Sequence, residues 1–368
     1  MEKLGIGIVG CGFIVDIYIK NLQTIFENTK VVALCDVKRE NAQRKAELYG
    51  IKKVLSFEEM IADEEVKVVL NLTTPVAHYA LSLAALQAHK HVYSEKPLAL
   101  SYEQCKVLSE TAEKNGVLLG CAPDTFLGST YQTAREIIDS GEIGKVTSAY
   151  AFDVCHGHEN WHPAPGFFYE EGAGPMYDRG PYNVSTLVAL LGPVVSVAGM
   201  TGKAYDERVI GCGPNKGETV PVKVPTHVNS LLQFKSGTLG VISASFDVWQ
   251  SDLPFTELHG TKGSLRLPIP IDFDGEICLR RHDDDDFKPV VIEGPYTINS
   301  RGLGLSDMVR AIQHGGEYRC SAALATHCFE VMEAMHISME KSTFIAINSS
   351  CNRPQPLQKG LTLGQVGV

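Results

Sequence analysis

Short apolar runs alternate with segments of helical spacing over residues 1–122, and this alternation is the feature that most restricts the possible fold. The runs at residues 6–9, 31–35 and 66–72 are apolar almost throughout, which is typical of strands that are buried on both faces. Residues 39–49 have helical spacing and are followed by Gly50, a common helix stop. Strands that alternate with helices of roughly 10–15 residues predict βαβ units and a parallel sheet.

The pattern changes after about residue 123. Strand-like runs at residues 146–154, 228–234 and 239–246 are separated in part by turns such as Lys235-Ser236-Gly237, which predicts hairpins in a mainly antiparallel sheet. A chain of 368 residues is long enough for about two domains. We therefore predict an α/β protein with domains at residues 1–122 and 123–368, and we expect the tail from Ser349 to be loosely packed.

Composition narrows the classes of function. The formal net charge is -10, which argues against nucleic acid as the main partner because phosphate binding needs surplus Lys and Arg. No apolar run reaches the roughly 18–20 residues of a membrane span, and the N-terminal residues do not resemble a secretory signal. The ten cysteines include no CxxC pair. We therefore expect a cytoplasmic protein with reduced thiols, no membrane partner and no disulfide scaffold.

A glycine-rich loop follows the first predicted strand. Gly10 permits a tight turn, and Gly12 lets backbone amides approach a pyrophosphate at the N-terminus of the next helix. The third glycine of the common fingerprint is absent, because Val15 occupies that place. The loop still lies between a predicted strand and a predicted helix, which favours a dinucleotide site. We predict cofactor contacts at Gly10, Gly12, Phe13 and Ile14.

Asp36 follows the second predicted strand, in the position where an acid accepts hydrogen bonds from a ribose 2′-hydroxyl. A carboxylate there repels a 2′-phosphate, so we predict NAD as the cofactor. Lys38 and Arg39 come directly after it, and these two cations leave NADP possible.

Three further segments carry a family resemblance. They are Leu72-Thr73-Thr74-Pro75 with His78, Glu95-Lys96-Pro97, and the stretch from Gly172 to Tyr182 that contains Asp178-Arg179-Gly180-Pro181-Tyr182. With the N-terminal loop they resemble the glucose–fructose oxidoreductase / inositol dehydrogenase family, Gfo/Idh/MocA, over nearly the whole chain. The resemblance implies a Rossmann domain followed by an α/β domain with an open-faced, mainly antiparallel sheet. It adds Thr73, Thr74, Pro75, His78, Glu95 and Lys96 to the predicted cofactor contacts.

The resemblance also implies a catalytic set. The lysine of Glu-Lys-Pro usually contacts both the nicotinamide region and the substrate hydroxyl, and the aspartate at position 178 usually holds the substrate or orients an acid/base. The family often has His four residues after that aspartate, whereas this chain has Tyr182. We predict Lys96, Asp178 and Tyr182 as catalytic and substrate-contacting residues, and the departure at Tyr182 leaves the acid/base open.

These side chains suit the oxidation of a carbinol, in which a hydride leaves carbon and a proton leaves oxygen. A general base works best when its pKa lies near the working pH. Burial lowers the pKa of a lysine, and a neighbouring ammonium lowers that of a tyrosine. Lys96 is therefore predicted to take the larger share of proton transfer, with Tyr182 as its partner.

Residues 156–163 are rich in histidine and aromatic groups. Trp161 offers a flat apolar face for a sugar ring, and His158 and His162 are predicted to bond substrate hydroxyls. A zinc site is the alternative, but the spacing matches no helical HExxH pattern, so no metal is predicted. Tyr169 is a weaker candidate for substrate contact.

Three functions remain open from the sequence. The favoured one is an NAD(P)-dependent oxidoreductase acting on a sugar, inositol or related polyol. The second is sugar elimination or glycoside cleavage with a recycled NAD, and the third is a non-catalytic nucleotide or sugar sensor. Because exposed apolar surface on an open sheet face is commonly buried against another protein subunit, a homodimer or homotetramer is also predicted.

Overall fold

The computed structural model of the protein describes residues 3–367, which pack into two compact units. Within the described residues, the first unit comprises 3–132, 293–329 and 354–367, and the second comprises 133–292 and 330–353. Two late segments thus pack with the N-terminal part of the chain, whereas the sequence division placed everything after residue 122 in one domain. The assignment of cofactor binding to one domain and substrate binding to the other stays a prediction.

A parallel sheet forms the centre of the first unit. Its strands are β1 (Leu4–Val9), β2 (Thr29–Cys35), β3 (Lys53–Val54), β4 (Val68–Asn71), β5 (His91–Ser94) and β6 (Leu119–Cys121). The helices between them are α1 (Val15–Thr24), α2 (Arg39–Tyr49), α3 (Phe57–Ala62), α4 (Pro75–Gln87) and α5 (Tyr102–Lys114). The strand order is β3-β2-β1-β4-β5-β6 and every pairing is parallel. This is the Rossmann order, so the predicted fold class of this part is confirmed.

Local sequence signals account for the ends of these helices. Helix α2 spans the residues predicted for it and ends at Gly50, whose φ of 68° is left-handed. Helix α3 was not predicted, although its signal is present in the sequence. Ser56 Oγ accepts the Glu59 amide at 3.1 Å, and Glu59 Oε2 accepts the Ser56 amide at 2.8 Å, which is a capping box.

The second unit is built on a nine-stranded sheet. Helix α6 (Ser129–Asp139) precedes this part of the chain, and the strands and helices that follow are β7 (Val146–Val154), α7 (Pro175–Asp178), α8 (Gly180–Leu191), β8 (Val194–Gly202), β9 (Glu207–Val209), β10 (Thr219–Pro221), β11 (His227–Phe234), β12 (Leu239–Ser245), β13 (Thr256–Gly260), β14 (Gly263–Leu267), β15 (Cys278–Arg281), β16 (Lys288–Pro289) and β17 (Ile345–Ala346). The sheet order is β16-β15-β14-β13-β7-β12-β11-β8-β17, and β9 and β10 form a separate hairpin.

The nine-stranded sheet is mainly antiparallel, as predicted, and only the β7–β12 pair is parallel. Burial alternates along β11, where Val228 and Leu232 are buried while Asn229 and Leu231 are exposed. One face therefore packs on the core and the other is open. The predicted turn at 235–237 joins β11 to β12.

Two helices complete the chain, α9 (Leu303–His314) and α10 (Ala322–Lys341). Of the helices in residues 3–367, none is long and apolar enough to cross a membrane. The prediction of a loosely packed tail from Ser349 is wrong, because Arg319 donates to the carbonyl oxygens of Gln355 at 2.9 Å and Pro356 at 3.0 Å, and Val366 is buried. The buried guanidinium of Arg319 thus donates hydrogen bonds to backbone carbonyl groups that lie outside any helix or strand.

Candidate functional site

The glycine-rich loop lies between β1 and α1, as predicted. Gly10 has a φ of 95°, and a Cβ there would lie 2.6 Å from the Leu72 backbone, so only glycine fits. A Cβ on Gly12 would meet no described atom within 4 Å. Ile14 is the N-cap of α1 and, within residues 3–367, makes no side-chain capping bond. The first turn of α1 is thus open to an anion such as a pyrophosphate, and Phe13 beside it is 96% exposed.

Asp36 follows the last residue of β2. Its Oδ2 accepts the Cys11 amide at 2.7 Å, and its Oδ1 accepts the Lys38 amide at 2.8 Å. The Cys11 bond ties the carboxylate to the glycine-rich loop. Oδ1 also accepts from Asn41 Nδ2 at 3.4 Å, so Oδ2 is the oxygen that keeps a further lone pair for a ribose hydroxyl. The neighbouring Arg39 donates from Nη2 to the Val54 carbonyl oxygen at 3.1 Å.

His78 connects the segment after β4 with the segment after β5. Its Nδ1 lies 2.7 Å from the Pro97 carbonyl oxygen, and its Nε2 lies 3.0 Å from that of Thr73. The ring is buried, and burial lowers the pKa of His78 despite these two carbonyl oxygens. A neutral ring has one N–H and donates to only one of these carbonyl oxygens, but its position between them places it against both the Thr73 turn and the Lys96 segment. Thr74 and Pro75 begin α4, as its N-cap and first residue.

Glu95 holds the backbone of Lys96. Glu95 Oε2 accepts the Lys96 amide at 3.0 Å, and Glu95 Oε1 accepts the hydroxyl of the fully buried Tyr18 at 2.8 Å. Tyr18 lies on α1, so this bond links the helix behind the glycine-rich loop to the segment that carries Lys96. Sequence reasoning missed Tyr18, because a buried tyrosine on an apolar helix face gives no separate signal.

All predicted cofactor residues of the first unit follow parallel strands. The loop at Gly10 follows β1, Asp36 follows β2, Thr73 follows β4, and Lys96 follows β5. Because the strands are parallel, these positions share the carboxyl edge of one sheet, which is where doubly wound folds bind nucleotides. The first unit therefore brings the predicted residues together.

Asp178 is the centre of a polar cluster in the second unit. His158 Nε2 lies 2.9 Å from Asp178 Oδ2, and Arg179 Nε lies 3.4 Å from the same oxygen. Arg179 Nη1 lies 4.0 Å from Asp153 Oδ1, and Asn183 Nδ2 donates to Asp153 Oδ2 at 3.1 Å. The Arg179 guanidinium thus lies near the carboxylates of Asp153 and Asp178, and His158 contacts the more exposed of the two, Asp178.

The charges of this cluster perturb one another. Burial alone would lower the pKa of Arg179, but the carboxylates of Asp153 and Asp178 raise it above its ordinary value. Burial raises the pKa of Asp153, and Arg179 and Asn183 oppose that rise. Such shifts are common at functional sites. Neither Asp153 nor Arg179 was predicted as a site residue, although Arg179 adjoins Asp178 in the sequence.

Aromatic rings line the loop that follows β7. The ring of His158 lies 5.1 Å from that of Trp161, and the ring of His162 lies 5.5 Å from it, centroid to centroid. Trp161 is 59% exposed, whereas His158 is buried. Burial lowers the pKa of His162, which favours its neutral form. Trp161 is exposed and His162 is half-buried, so their substrate contacts stay predictions, whereas His158 faces Asp178.

Tyr169 has different surroundings from those expected for substrate contact, whereas the role of Tyr182 stays a prediction. Tyr169 is buried, and its hydroxyl donates to Glu159 Oε2 at 2.5 Å. Burial, followed by this bond, raises the pKa of Tyr169 above its usual range. Tyr182 lies in the first turn of α8 and is half-buried, and its amide donates to the Arg179 carbonyl oxygen at 3.2 Å.

A buried ion network supports the same loop, and sequence reasoning missed it. Arg208, on β9, donates from Nη1 to Glu159 Oε1 at 3.0 Å and from Nη2 to the Phe246 carbonyl oxygen at 2.9 Å and to Asp247. Thr226 donates to Asp247 Oδ2 at 2.7 Å. Strand β9 has three residues, too few for a periodic signal. As far as the structure describes the chain, no group of three or more His, Cys, Asp or Glu is arranged to hold a metal ion.

Comparison with known proteins agrees with this architecture. Residues 4–122 match the family described as "Oxidoreductase family, NAD-binding Rossmann fold", and residues 131–266 match the "GFO/IDH/MocA C-terminal domain". The D-glucoside 3-dehydrogenase of Escherichia coli is 30% identical over 305 residues, which is 77% of this chain and 84% of that protein. The inositol 2-dehydrogenase of Salmonella paratyphi B is 36% identical over 144 residues, but the match spans only 42% of its length and 38% of this chain.

The solved structure of levoglucosan dehydrogenase in complex with NADH and levoglucosan superposes with a TM-score of 0.80. It has 22% sequence identity, and the match covers 95% of this chain and all of that one. At this identity the likeness concerns the fold. Together with the two matched domains and the glucoside dehydrogenase relative, it leads to one conclusion: the chain belongs to the Gfo/Idh/MocA oxidoreductase family, whose N-terminal domain is an NAD-binding Rossmann fold.

Proposed function

We propose that this chain is an NAD-dependent dehydrogenase or reductase that acts on a CH–OH group of a sugar, inositol or related polyol. The main observation in support is that Lys96 follows β5 and lies at the same carboxyl edge of the parallel sheet as the glycine-rich loop and Asp36. A lysine beside a dinucleotide site suits proton transfer coupled to hydride transfer, because its amine accepts a proton and its ammonium form returns one.

Each residue has a defined task in this proposal. When bound, NAD supplies the hydride-accepting nicotinamide. The amides after Gly12 hold the pyrophosphate, and the Asp36 carboxylate accepts a ribose hydroxyl. Lys96, as the neutral amine, takes the proton from the substrate hydroxyl and becomes an ammonium group, Asp178 binds and orients that hydroxyl, and Tyr182 assists as an acid/base partner. Lys96 and Asp178 lie in different units, so variants at each position test whether both serve one reaction.

The substrate class rests on the chemistry of the second unit and on the relatives. The carboxylate of Asp178 and the imidazole of His162 form hydrogen bonds with hydroxyl groups. The exposed Trp161 offers a flat face for the C–H groups of a sugar ring. The relatives are named for inositol and a D-glucoside. We extend that class to this chain, with Trp161 and His162 as the substrate-contacting residues of the loop.

A substrate panel tests the proposal. The purified chain is incubated with inositols, aldoses, anhydrosugars and glucosides, with NAD⁺ or NADP⁺, while reduced nicotinamide absorbance is followed. We expect at least one polyol to give stoichiometric NADH. Product formation without free NADH would favour a recycled cofactor and elimination chemistry. Tight NAD binding with no product from any polyol would favour a sensor and contradict the enzyme proposal.

Cofactor choice is predicted to depend on the charge of Asp36. Asp36→Asn keeps an acceptor for one of the two backbone amides and removes the negative charge that repels a 2′-phosphate. The NAD-to-NADP ratio of kcat/KM should fall by about 10- to 100-fold, since a charge–charge contact near a protein surface contributes a few kcal/mol. Asp283→Asn, which removes an exposed charge in the second unit, is the control. An unchanged ratio in Asp36→Asn would contradict the role of Asp36.

Assembly through the open face of the nine-stranded sheet is also proposed. Leu231, 53% exposed, pairs with Ala198 on one side and Val241 on the other, and Met200 and Leu239 are exposed on neighbouring strands. Exposed apolar side chains on neighbouring strands of one open sheet face favour a protein partner. We expect a homodimer or homotetramer in light scattering, and we expect Leu231→Glu to yield the 40.1 kDa monomer. Leu48→Glu, at an exposed leucine of the first unit, should leave the mass unchanged.

A reducing compartment such as the cytoplasm fits the cysteines. All ten are free thiols. Burial, followed by the charge of Asp36, raises the pKa of Cys11 to about 12 and that of Cys35 to about 11. Such thiols contain little reactive thiolate at neutral pH, so we propose that they serve as packing residues.

A further inference from the structure

His158 is enclosed by aromatic rings instead of facing open space. Its ring centroid lies 4.2 Å from that of Phe168, 4.6 Å from that of Phe246 and 5.1 Å from that of Trp161. The His158 side chain is 2% exposed, whereas the Asp178 side chain is 21% exposed. Of this pair, Asp178 is therefore the member that a substrate can reach, and His158 lies behind it.

The contact between the two side chains is a directed hydrogen bond. A carboxylate only accepts, so the His158 nitrogen that lies 2.9 Å from Asp178 Oδ2 carries the proton and donates it. Arg179 Nε lies 3.4 Å from the same oxygen, but within residues 3–367 it makes no aligned hydrogen bond. Arg179 thus places a positive charge near Asp178, whereas the hydrogen bond from His158 fixes the orientation of this carboxylate oxygen.

The residue after His158 is anchored independently. Glu159 accepts from Arg208 at 3.0 Å and from Tyr169 at 2.5 Å. Arg208 also donates to the carbonyl oxygen of Phe246, whose ring packs on His158. The loop cannot shift without breaking this buried network, which would leave a buried charge without its partner. His158 is consequently held on both sides, by its aromatic neighbours and by the anchored backbone.

We propose that His158 is a positioning residue that holds the Asp178 carboxylate in one orientation through its Nε2–H. It acts through Asp178 and does not itself contact the substrate, in contrast to the contact predicted from the sequence. The inference rests on the proposed function, because it names how the residue that binds the substrate hydroxyl is kept in place. This role also explains why a histidine lies among aromatic rings, because its ring packs against them and its N–H donates to Asp178.

Two substitutions separate hydrogen bonding from packing. His158→Phe fills the aromatic enclosure but donates nothing, and His158→Gln donates but packs less well. We expect His158→Phe to lower kcat by about 100-fold, the loss typical of a misplaced reacting group, with KM and the thermal midpoint close to wild type. His158→Gln should recover most of the lost kcat despite lower stability. His227→Phe, a half-buried histidine on β11, is the control and should keep full activity.

The opposite pattern would overturn the proposal. If His158→Phe is as active as wild type while His158→Gln is impaired, the ring serves packing alone. A measurement without turnover keeps this test separate from that of the proposed function. In ¹H–¹⁵N spectra of histidine-labelled protein, the His158 Nε2–H should be protected from exchange and should lose that protection in Asp178→Ala. If the His158 Nε2–H is protected but no polyol is turned over, the proposed function is contradicted and the His158–Asp178 hydrogen bond is supported. If the His158 Nε2–H exchanges freely in the wild type, the hydrogen bond is refuted.

Discussion

Replacing Lys96 with Met is expected to lower turnover by about 10³-fold or more while leaving the dissociation constant for NAD unchanged. Methionine keeps the length of the side chain but has no proton to transfer and no charge to stabilise an alkoxide, and such roles contribute about 10²- to 10⁴-fold. Glu95 accepts the Lys96 backbone amide, and this bond does not involve the substituted side chain, so the segment should keep its conformation. Steady-state rates on the best polyol of the panel, with fluorescence titration of NADH, check both parts.

The control for this variant is Lys106→Met. Lys106 is an exposed lysine on α5 that pairs with Glu103, and its loss should leave kcat unchanged. If Lys96→Met turned over at a rate near that of Lys106→Met, proton transfer would have to be reassigned, with Tyr182 the next candidate. If Lys96→Met lost NAD binding instead, Lys96 would be a cofactor-binding residue only.

Replacing Arg319 with Met is expected to destabilise the first unit by about 3–5 kcal/mol. Arg319 Nη1 lies 2.6 Å from Asp307 Oδ1, and its amide donates to Asp307 Oδ2 at 2.7 Å. Asp307 has no exposed surface, and Arg310 at 3.4 Å only partly compensates for the lost guanidinium. The variant also frees the carbonyl oxygens of Gln355 and Pro356. Denaturant unfolding and limited proteolysis of the tail measure the two effects.

An exposed ion pair provides the comparison for Arg319. Arg281 pairs with Glu142 at the surface, so Arg281→Met should change stability by no more than about 1 kcal/mol. If Arg319→Met unfolded at the same denaturant concentration as Arg281→Met, with the tail still resistant to protease, the buried network would contribute little to stability.

The Rossmann unit was predictable because its signals are local and repeated. Apolar strand runs, helical spacing and the stop at Gly50 each act over a few residues, and the structure confirms the elements they predict. The edge that collects the glycine-rich loop, Asp36 and Lys96 then follows from parallel pairing alone. Helix α3 was missed although Ser56 and Glu59 form a recognisable capping box, so that omission was avoidable.

The polar interior of the second unit was not predictable in the same way. His158 and Asp178 are 20 residues apart, and Arg208 and Glu159 are 49 apart. No period relates such partners, and a buried arginine in a three-residue strand looks like a surface residue in sequence. The tail from Ser349 was misjudged for a related reason, since the group that satisfies its carbonyl oxygens is the distant Arg319.

The central claim is hydride transfer between a polyol carbon and NAD, and isotope transfer tests it most directly. The best substrate of the panel is prepared with deuterium on each carbinol carbon in turn and incubated with unlabelled NAD⁺, and the reduced cofactor is analysed by mass spectrometry. The account predicts one deuterium on the nicotinamide from a single carbon position, and no labelled cofactor with Lys96→Met. Deuterium that appears in solvent or stays on the product, with no labelled NADH released, would contradict it.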